Sequence, residues 1–236
     1  MNSEEVLSIA KPILFNTDKI RAILDERTMV ARLAVHRGKS YPEYHGRDQF
    51  YAIVDHLNND YKNWYAGFYN DYDVFVDSSG KQQIDALYWK APCKPGDFLY
   101  VRETWGCYER NWWEAGYFLY KADYPDGVST YEFDGHICNL PKWRPSIHMP
   151  KEAARIFLRV TDIRVERLQD ITSDQIDREG VETEYPFVLN GEERRYAFSQ
   201  LWTSTLKKSD LAHYGWDANP WVWVIEFERY GQKVGL

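Results

Sequence analysis

The run Trp221-Val222-Trp223-Val224-Ile225-Glu226-Phe227 constrains this chain more than any other segment. Both of its alternating faces are apolar until Glu226. A strand of that kind has no face to offer water, so it predicts a central position in a sheet covered on both sides. A chain of 236 residues is long enough to supply that cover within one large domain. At 44% hydrophobic and 28% charged it lies in the ordinary globular range. No stretch approaches the roughly 18 apolar residues of a membrane span. The opening MNSEEVLSIAKP carries acids where a secretory signal is basic. Cys93, Cys107 and Cys138 form no CxxC pair, which suits a reducing compartment. The expectation is a soluble, cytoplasmic protein without a membrane partner.

Other elements follow from local patterns. Asn16 or Thr17 caps a helix, with Asp18 in its first turn and Ile20, Ile23 and Leu24 at helical spacing to about Glu26. Tyr72 to Val76 and Ile84 to Trp89 read as a hairpin around Ser78-Ser79-Gly80. Pro95-Gly96-Asp97 predicts a turn into a strand over Phe98 to Val101, and Tyr117 to Ala122 predicts another strand. Ile156, Leu158 and Val160 alternate, whereas Ile163 and Val165 alternate out of phase. A bulge at Thr161-Asp162 would produce that shift and would bend the strand. Thr172-x-x-Gln175 is a capping box for a short helix ending at Gly180. A second helix is predicted from Arg194 to Lys207, with Phe198, Leu201, Trp202 and Thr205 on one side. Pro145 and Pro150 predict an extended segment between them. The sum is an α+β fold of about five or six strands curved into a small barrel with flanking helices. Residues 36–89, rich in Tyr, Asn and Asp and without a linker at either end, read as an insertion in a single domain spanning 1–236.

Ten Trp, 18 Tyr and 11 Phe supply flat faces for packing or for stacking on bases. The net charge of -7 excludes a protein that coats long nucleic acid by neutralising phosphates. It leaves open a pocket for one base. The segment from Pro141 to Arg167 is locally basic, with seven Lys and Arg against three acids. His136-x-Cys138 is too small a cluster for a zinc site, and no metal or cofactor is expected.

Several segments together resemble the ASCH family of PUA-like proteins, especially its longer bacteriophage and prophage members. They are Pro12-Ile13-Leu14-Phe15-Asn16-Thr17, Ala22-Ile23-Leu24-Asp25, Pro95-Gly96-Asp97 and Val101-Arg102-Glu103-Thr104-Trp105. The series continues with Lys142-Trp143-Arg144-Pro145-Ser146-Ile147-His148-Met149-Pro150 and Arg164-Val165-Glu166-Arg167-Leu168-Gln169-Asp170-Ile171. It ends with Arg178-Glu179-Gly180-Val181 and Asn219-Pro220-Trp221. The resemblance implies a PUA-like barrel with a cleft for RNA or modified bases, in the host cytoplasm if the chain is phage-encoded. Some small family members are similar to amidohydrolases that remove an acyl group from a cytosine amine, using a Lys, a Thr and a Glu. Here the Lys position holds Thr28 and the Thr position Ala31, while the Glu position keeps Glu179. A Thr hydroxyl cannot replace an amine base at neutral pH, and Ala offers no nucleophile.

The leading expectation is therefore binding of a nucleotide, a nucleoside or single-stranded RNA. The candidate ligand-binding residues are Arg27, Thr28, Arg32, Trp105, Lys142, Trp143, Ser146 and His148. Trp105 and Trp143 would stack, and Arg27 and Arg32 would meet phosphate. An alternative is a hydrolase of modified nucleosides or RNA built on Glu103, His148 and Glu179, with Glu103 and Glu179 as its catalytic carboxylates. A third is a protein-interaction module that uses 36–89 as its contact surface.

Overall fold

The computed structural model describes residues 3–35, 49–54, 63–76, 82–107, 118–133, 135–181 and 191–231. In chain order it contains α1 (Ser3–Ile9), β1 (Lys11–Leu14), α2 (Thr17–Leu24), β2 (Val30–Ala34), β3 (Gln49–Val54), β4 (Tyr65–Val76) and β5 (Gln82–Lys90). These are followed by β6 (Phe98–Arg102), β7 (Trp105–Cys107), β8 (Phe118–Tyr120), β9 (Thr130–Phe133), β10 (His136–Asn139) and β11 (Phe157–Arg167). The last elements are α3 (Ser173–Arg178), α4 (Gly191–Ser204), α5 (Leu211–Tyr214) and β12 (Trp221–Tyr230). The fold is mixed α+β, and no sheet closes into a barrel among the described residues. No helix among them is long and apolar enough to cross a membrane.

The chain divides into two compact units, each assembled from separate stretches. The first comprises Met1–Met29, Asp97–Arg159 and Glu228–Leu236, and the second Val30–Gly96 and Val160–Phe227. In the first unit β1 runs parallel to β6, with Lys11 opposite Leu99. The opening residues of β11 run antiparallel to β6, with Phe157 opposite Tyr100. Ile13, Ile20, Ile23, Leu99, Val101, Ile156 and Leu158 are all buried here. A smaller cluster gathers Trp105, Cys107, Met149 and Ala153. Asn16 caps α2 by accepting from the Lys19 N–H at 2.8 Å. The helix stops at Leu24, short of the Glu26 expected, because Glu26 takes a left-handed conformation with φ 59°. Helix α1 is an element that the sequence pattern did not announce.

In the second unit β12 lies between β11 and β2 and pairs antiparallel with β2, Val224 opposite Arg32. On one face of this sheet Val30, Ala34, Val222 and Val224 pack against Leu168, Ile171, Ile176, Phe198 and Trp202. Trp223 and Ile225 are also buried, so β12 is covered on both sides as its sequence demanded. Burial along β11 falls on Leu158 and Val160, then on Ile163 and Val165, with exposed Thr161 and Asp162 at the change of phase. The expected hairpin is the antiparallel pair β4 and β5, longer than anticipated, with Val76 opposite Gln82 and its turn outside the described residues. β3 completes that sheet. The Thr172 capping box is present in full, and Gly180 ends α3 with φ 72°. Helix α4 begins at Gly191 rather than Arg194 and ends at Ser204.

The segment between Pro145 and Pro150 departs from its expectation. Ser146–His148 form a 3-10 turn, closed by His148 N–H to the Pro145 carbonyl and Met149 N–H to the Ser146 carbonyl, each at 3.0 Å. Proline restricts only the residue before it, so Met149 is extended (ψ 123°) while the three residues ahead of it remain free to turn.

Gly106 on β7 tests the packing of the first unit. A Cβ there would lie 2.4 Å from Cγ of Pro141, a ring that has no alternative rotamer to retreat into. Gly106→Ala is expected to destabilise the protein by about 1–3 kcal/mol, read as a lower urea midpoint.

Candidate functional site

Arg32 sits at the centre of β2, a strand on which Val30, Ala31 and Ala34 are also buried. Its side chain is 1% exposed. A guanidinium in that position requires acidic partners, because desolvating an unpaired charge costs several kcal/mol. Two are provided. Arg32 Nη1 donates to Glu179 Oε1 at 2.6 Å and Nη2 to Glu166 Oε2 at 3.4 Å. Glu179 ends α3, and Glu166 lies near the end of β11.

The contacts continue past these two acids. Arg164 donates to Glu166 through Nε and to Glu226 through Nη1, and Arg178 donates to Glu226 Oε2 at 3.1 Å. The six residues thus form an alternating chain of arginines and glutamates, to which Asp162 adds a further acid 3.6 Å from Arg164. Burial works against the ionised Glu226 carboxylate, but the hydrogen bonds from Arg164 and Arg178 outweigh it and hold the carboxyl below the usual range.

A cavity of about 350 Å³ opens beside Arg32 in the same unit. Its wall includes Leu33 and Ala34 of β2, Val35 just after it, Trp89 and Lys90 of β5, Trp202 and Leu206 from and just after α4, and Trp223 of β12. The Nε–H of Arg32 is buried and has no hydrogen-bond partner among the described residues. The guanidinium itself is sealed behind that wall, since the Arg32 side chain is 1% exposed and its Nε is inaccessible. A groove of about 480 Å³ along α4 is lined by Arg195, Tyr196, Gln200 and Trp216 and includes none of the residues anticipated from the sequence. Arg195 is committed there to the carbonyls of Gln169 and Ile171.

The remaining anticipated residues lie in the first unit. Glu103 follows β6 and is 1% exposed. Both of its oxygens accept from Arg155, Oε1 from Nε and Oε2 from Nη2, each at 2.9 Å. Arg155 also binds Asp123 at 2.8 Å and lies 3.9 Å over the ring of Tyr120. Burial pushes the Glu103 carboxyl above its ordinary value, and the hydrogen bond and charge of Arg155 only partly oppose it. Burial also pushes the Tyr120 phenol upward, and its hydroxyl donates to the Ala153 carbonyl at 2.7 Å.

Trp105 is buried, pairs through its backbone with Arg144, and has that guanidinium 5.0 Å above its ring. Trp143 is half-buried against Tyr124, with ring centroids 5.9 Å apart. Lys142 and His148 are exposed, and Ser146 is half-buried. Arg102 fastens this segment to β6 by donating to the Ile147 and Met149 carbonyls. Glu103, Trp105, Trp143 and His148 thus belong to two stretches stitched together, about forty residues apart in the chain. Thr28 is buried and accepts from Lys19 Nζ at 3.0 Å, while Arg27 binds Asp25. Glu103 and Glu179 belong to different units. Among the described residues no group of three His, Cys, Asp or Glu has the arrangement of a metal site.

Sequence reasoning missed Trp89, Trp202 and Trp223 as cavity residues, and Arg155 and Glu166 as charge partners. Only the high tryptophan count and the local excess of arginine hinted at them.

Arg32→Met is expected to cost about 3–5 kcal/mol in a denaturation experiment, because it strands the buried Glu179. Adding Glu179→Met should restore most of that loss. Glu103 and Glu226 tilt the pH profile of stability in opposite senses. Glu103 has a raised folded pKa, so the folded state holds its proton longer, and stability falls as pH rises from about 4.3 through the folded value. Glu226 has a lowered folded pKa, so its contribution is present above about 4.3 and is lost as pH falls through the folded value. Urea midpoints measured across the acid range should show Glu103→Gln removing the first slope and Glu226→Gln the second. Compared with known proteins, the chain matches no family model, no curated protein and no solved structure.

Proposed function

We propose that this protein binds a nucleobase, presented as a nucleotide, a nucleoside or a residue of single-stranded RNA, on a fold of the ASCH, PUA-like kind. The observation that carries this reading is the cavity beside β2, whose wall includes Trp89, Trp202 and Trp223 together with residues 32–35. Its volume of about 350 Å³ is at the lower end for small-molecule sites and suits one base with its sugar. Indole faces stack on any base, each such contact contributing roughly 1–3 kcal/mol. Polar groups fixed by neighbours then orient the ring.

Binding is favoured over hydrolysis by the state of the carboxylates. Both Glu103 oxygens are occupied by Arg155, and Glu179 is occupied by Arg32. Neither is poised to take a proton from water. In the first unit, the segment carrying Lys142, Trp143, Ser146 and His148 is proposed as a second contact for RNA, with exposed cations and a half-exposed indole. About half of 36–89, the segment of the alternative role in holding another protein, lies outside the described residues.

The test is to identify by mass spectrometry any small molecule or RNA released from the denatured protein, then to titrate nucleosides while following tryptophan fluorescence. Quenching on saturation is expected, as is roughly ten-fold weaker binding for Trp89→Leu. No release and no quenching by any nucleoside, nucleotide or single-stranded RNA would refute the reading.

A further inference from the structure

We infer that the ligand of the cavity beside β2 carries a phosphate, and that Lys90 receives it at the mouth while the base and its sugar fill the space within. This inference rests on the base-binding reading above and narrows it to a nucleotide unit, either free or part of an RNA strand.

The first ground is the charge that the wall presents. Among the described residues lining the cavity only Arg32 and Lys90 are charged, and none is an acid. Arg32 contributes main chain rather than its guanidinium, because the residue is 8% exposed while its side chain is 1% exposed. The guanidinium is paired behind the wall with Glu179 and Glu166. Lys90 differs on each count. It is the last residue of β5, it is exposed, and it makes no ion pair with another described residue. An anion at the mouth therefore meets one uncompensated positive charge and no carboxylate of the described wall.

The second ground is size. A volume of about 350 Å³ suits one base with its sugar. A phosphate esterified to that sugar is then left at the opening. An ammonium on a flexible four-carbon stem meets it there while both groups stay partly hydrated. That arrangement avoids the desolvation cost of burying either ion.

The third ground is what the neighbouring polar groups can offer. Thr205 lines the cavity and is exposed, but its hydroxyl donates to the Trp202 carbonyl at 2.7 Å. With its proton engaged it accepts, which suits a sugar hydroxyl and not the oxygens of an ionised phosphate. The Trp202 indole N–H is likewise spent on the Tyr214 carbonyl at 2.7 Å. Lys90 is the accessible charged donor of the described wall, and an ammonium binds phosphate as a point charge.

The experiment titrates the full chain with the four ribonucleosides, their 5′-monophosphates and the matching dinucleoside monophosphates, following tryptophan quenching at low and high salt. For the base that binds, a phosphorylated form should bind about five- to ten-fold tighter than the nucleoside at low salt. Most of that advantage should disappear at high salt. In Lys90→Gln the phosphorylated and unphosphorylated forms should bind alike, whereas Lys90→Arg should keep the preference. The ligand comparison on the unaltered protein stands even if a variant fails to fold. A preference for the monophosphate over the dinucleoside monophosphate identifies a free nucleotide as the source, and the reverse identifies RNA. Equal binding of the nucleoside and both phosphorylated forms would overturn this inference and leave base binding intact. A preference that persists undiminished in Lys90→Gln would also overturn it. Absence of binding by every probe would remove the base-binding reading itself.

Discussion

A full positive charge on a buried strand is the constraint around which the second unit is organised. Arg32 lies between Ala31 and Leu33 on β2, opposite Val224 of β12, where a Leu or Val would pack without cost. An arginine at that point is tolerable only if acids reach it, and those acids need cations of their own. The result is the chain of ion pairs through Glu179, Glu166, Arg164, Glu226 and Arg178. It ties the end of α3 to the end of β11 and to the middle of β12 and β2. Well-packed apolar residues of similar volume often equal such a network in stability.

The first unit buries a charge pair of a different character. Glu103 is enclosed more completely than any other described carboxylate, and its single cation, Arg155, fills both its oxygens. Arg155 is in turn stacked on Tyr120 and bound by Asp123. The pair joins the link after β6 to the residues leading into β11, next to the cluster of Trp105, Met149 and Ala153. No cavity described here adjoins it. The contrast between the two pairs is informative, since both contain an arginine and a glutamate drawn from residues the sequence had singled out or counted. Of the two cavities lined by described residues, one includes Arg32 and neither includes Glu103 or Arg155.

The sheet adds a second consequence. Among the described residues β2 ends its sheet, and no neighbouring strand there takes up the peptide groups of Arg32 and Ala34 on that side. Edge strands usually need protection against pairing with other chains. Here Trp89, Trp202 and Trp223 stand around that edge and narrow it to a cavity. The same side chains that shield the edge supply the stacking surface proposed for the base.

Much of the local structure was legible in the sequence. The double cover of β12, the change of phase at Thr161 and Asp162, the Thr172 capping box and the turns at Gly96 and Gly180 all depend on a residue and its near neighbours. Hydrophobic period, side-chain capping and left-handed backbone preference act over a few residues, so a linear reading captures them. The failures were also local in origin. The Pro-bounded turn at Ser146–His148 reflects proline's restriction reaching one residue rather than four, and Glu26 ended α2 early by adopting a conformation its residue type rarely takes. The site depended on contacts of another range. Arg32 and Glu179 are separated by 147 positions, Glu103 and Arg155 by 52. Nothing in the neighbourhood of a charged residue records which distant residue neutralises it or whether space remains beside it. The sequence by itself therefore determined which segments are strands and helices and which residues carry charge and ring surface. Only the tertiary structure decided that Arg32 and three tryptophans border one cavity while Glu103 is sealed, because burial and charge pairing are set by strand order and register rather than by spacing along the chain.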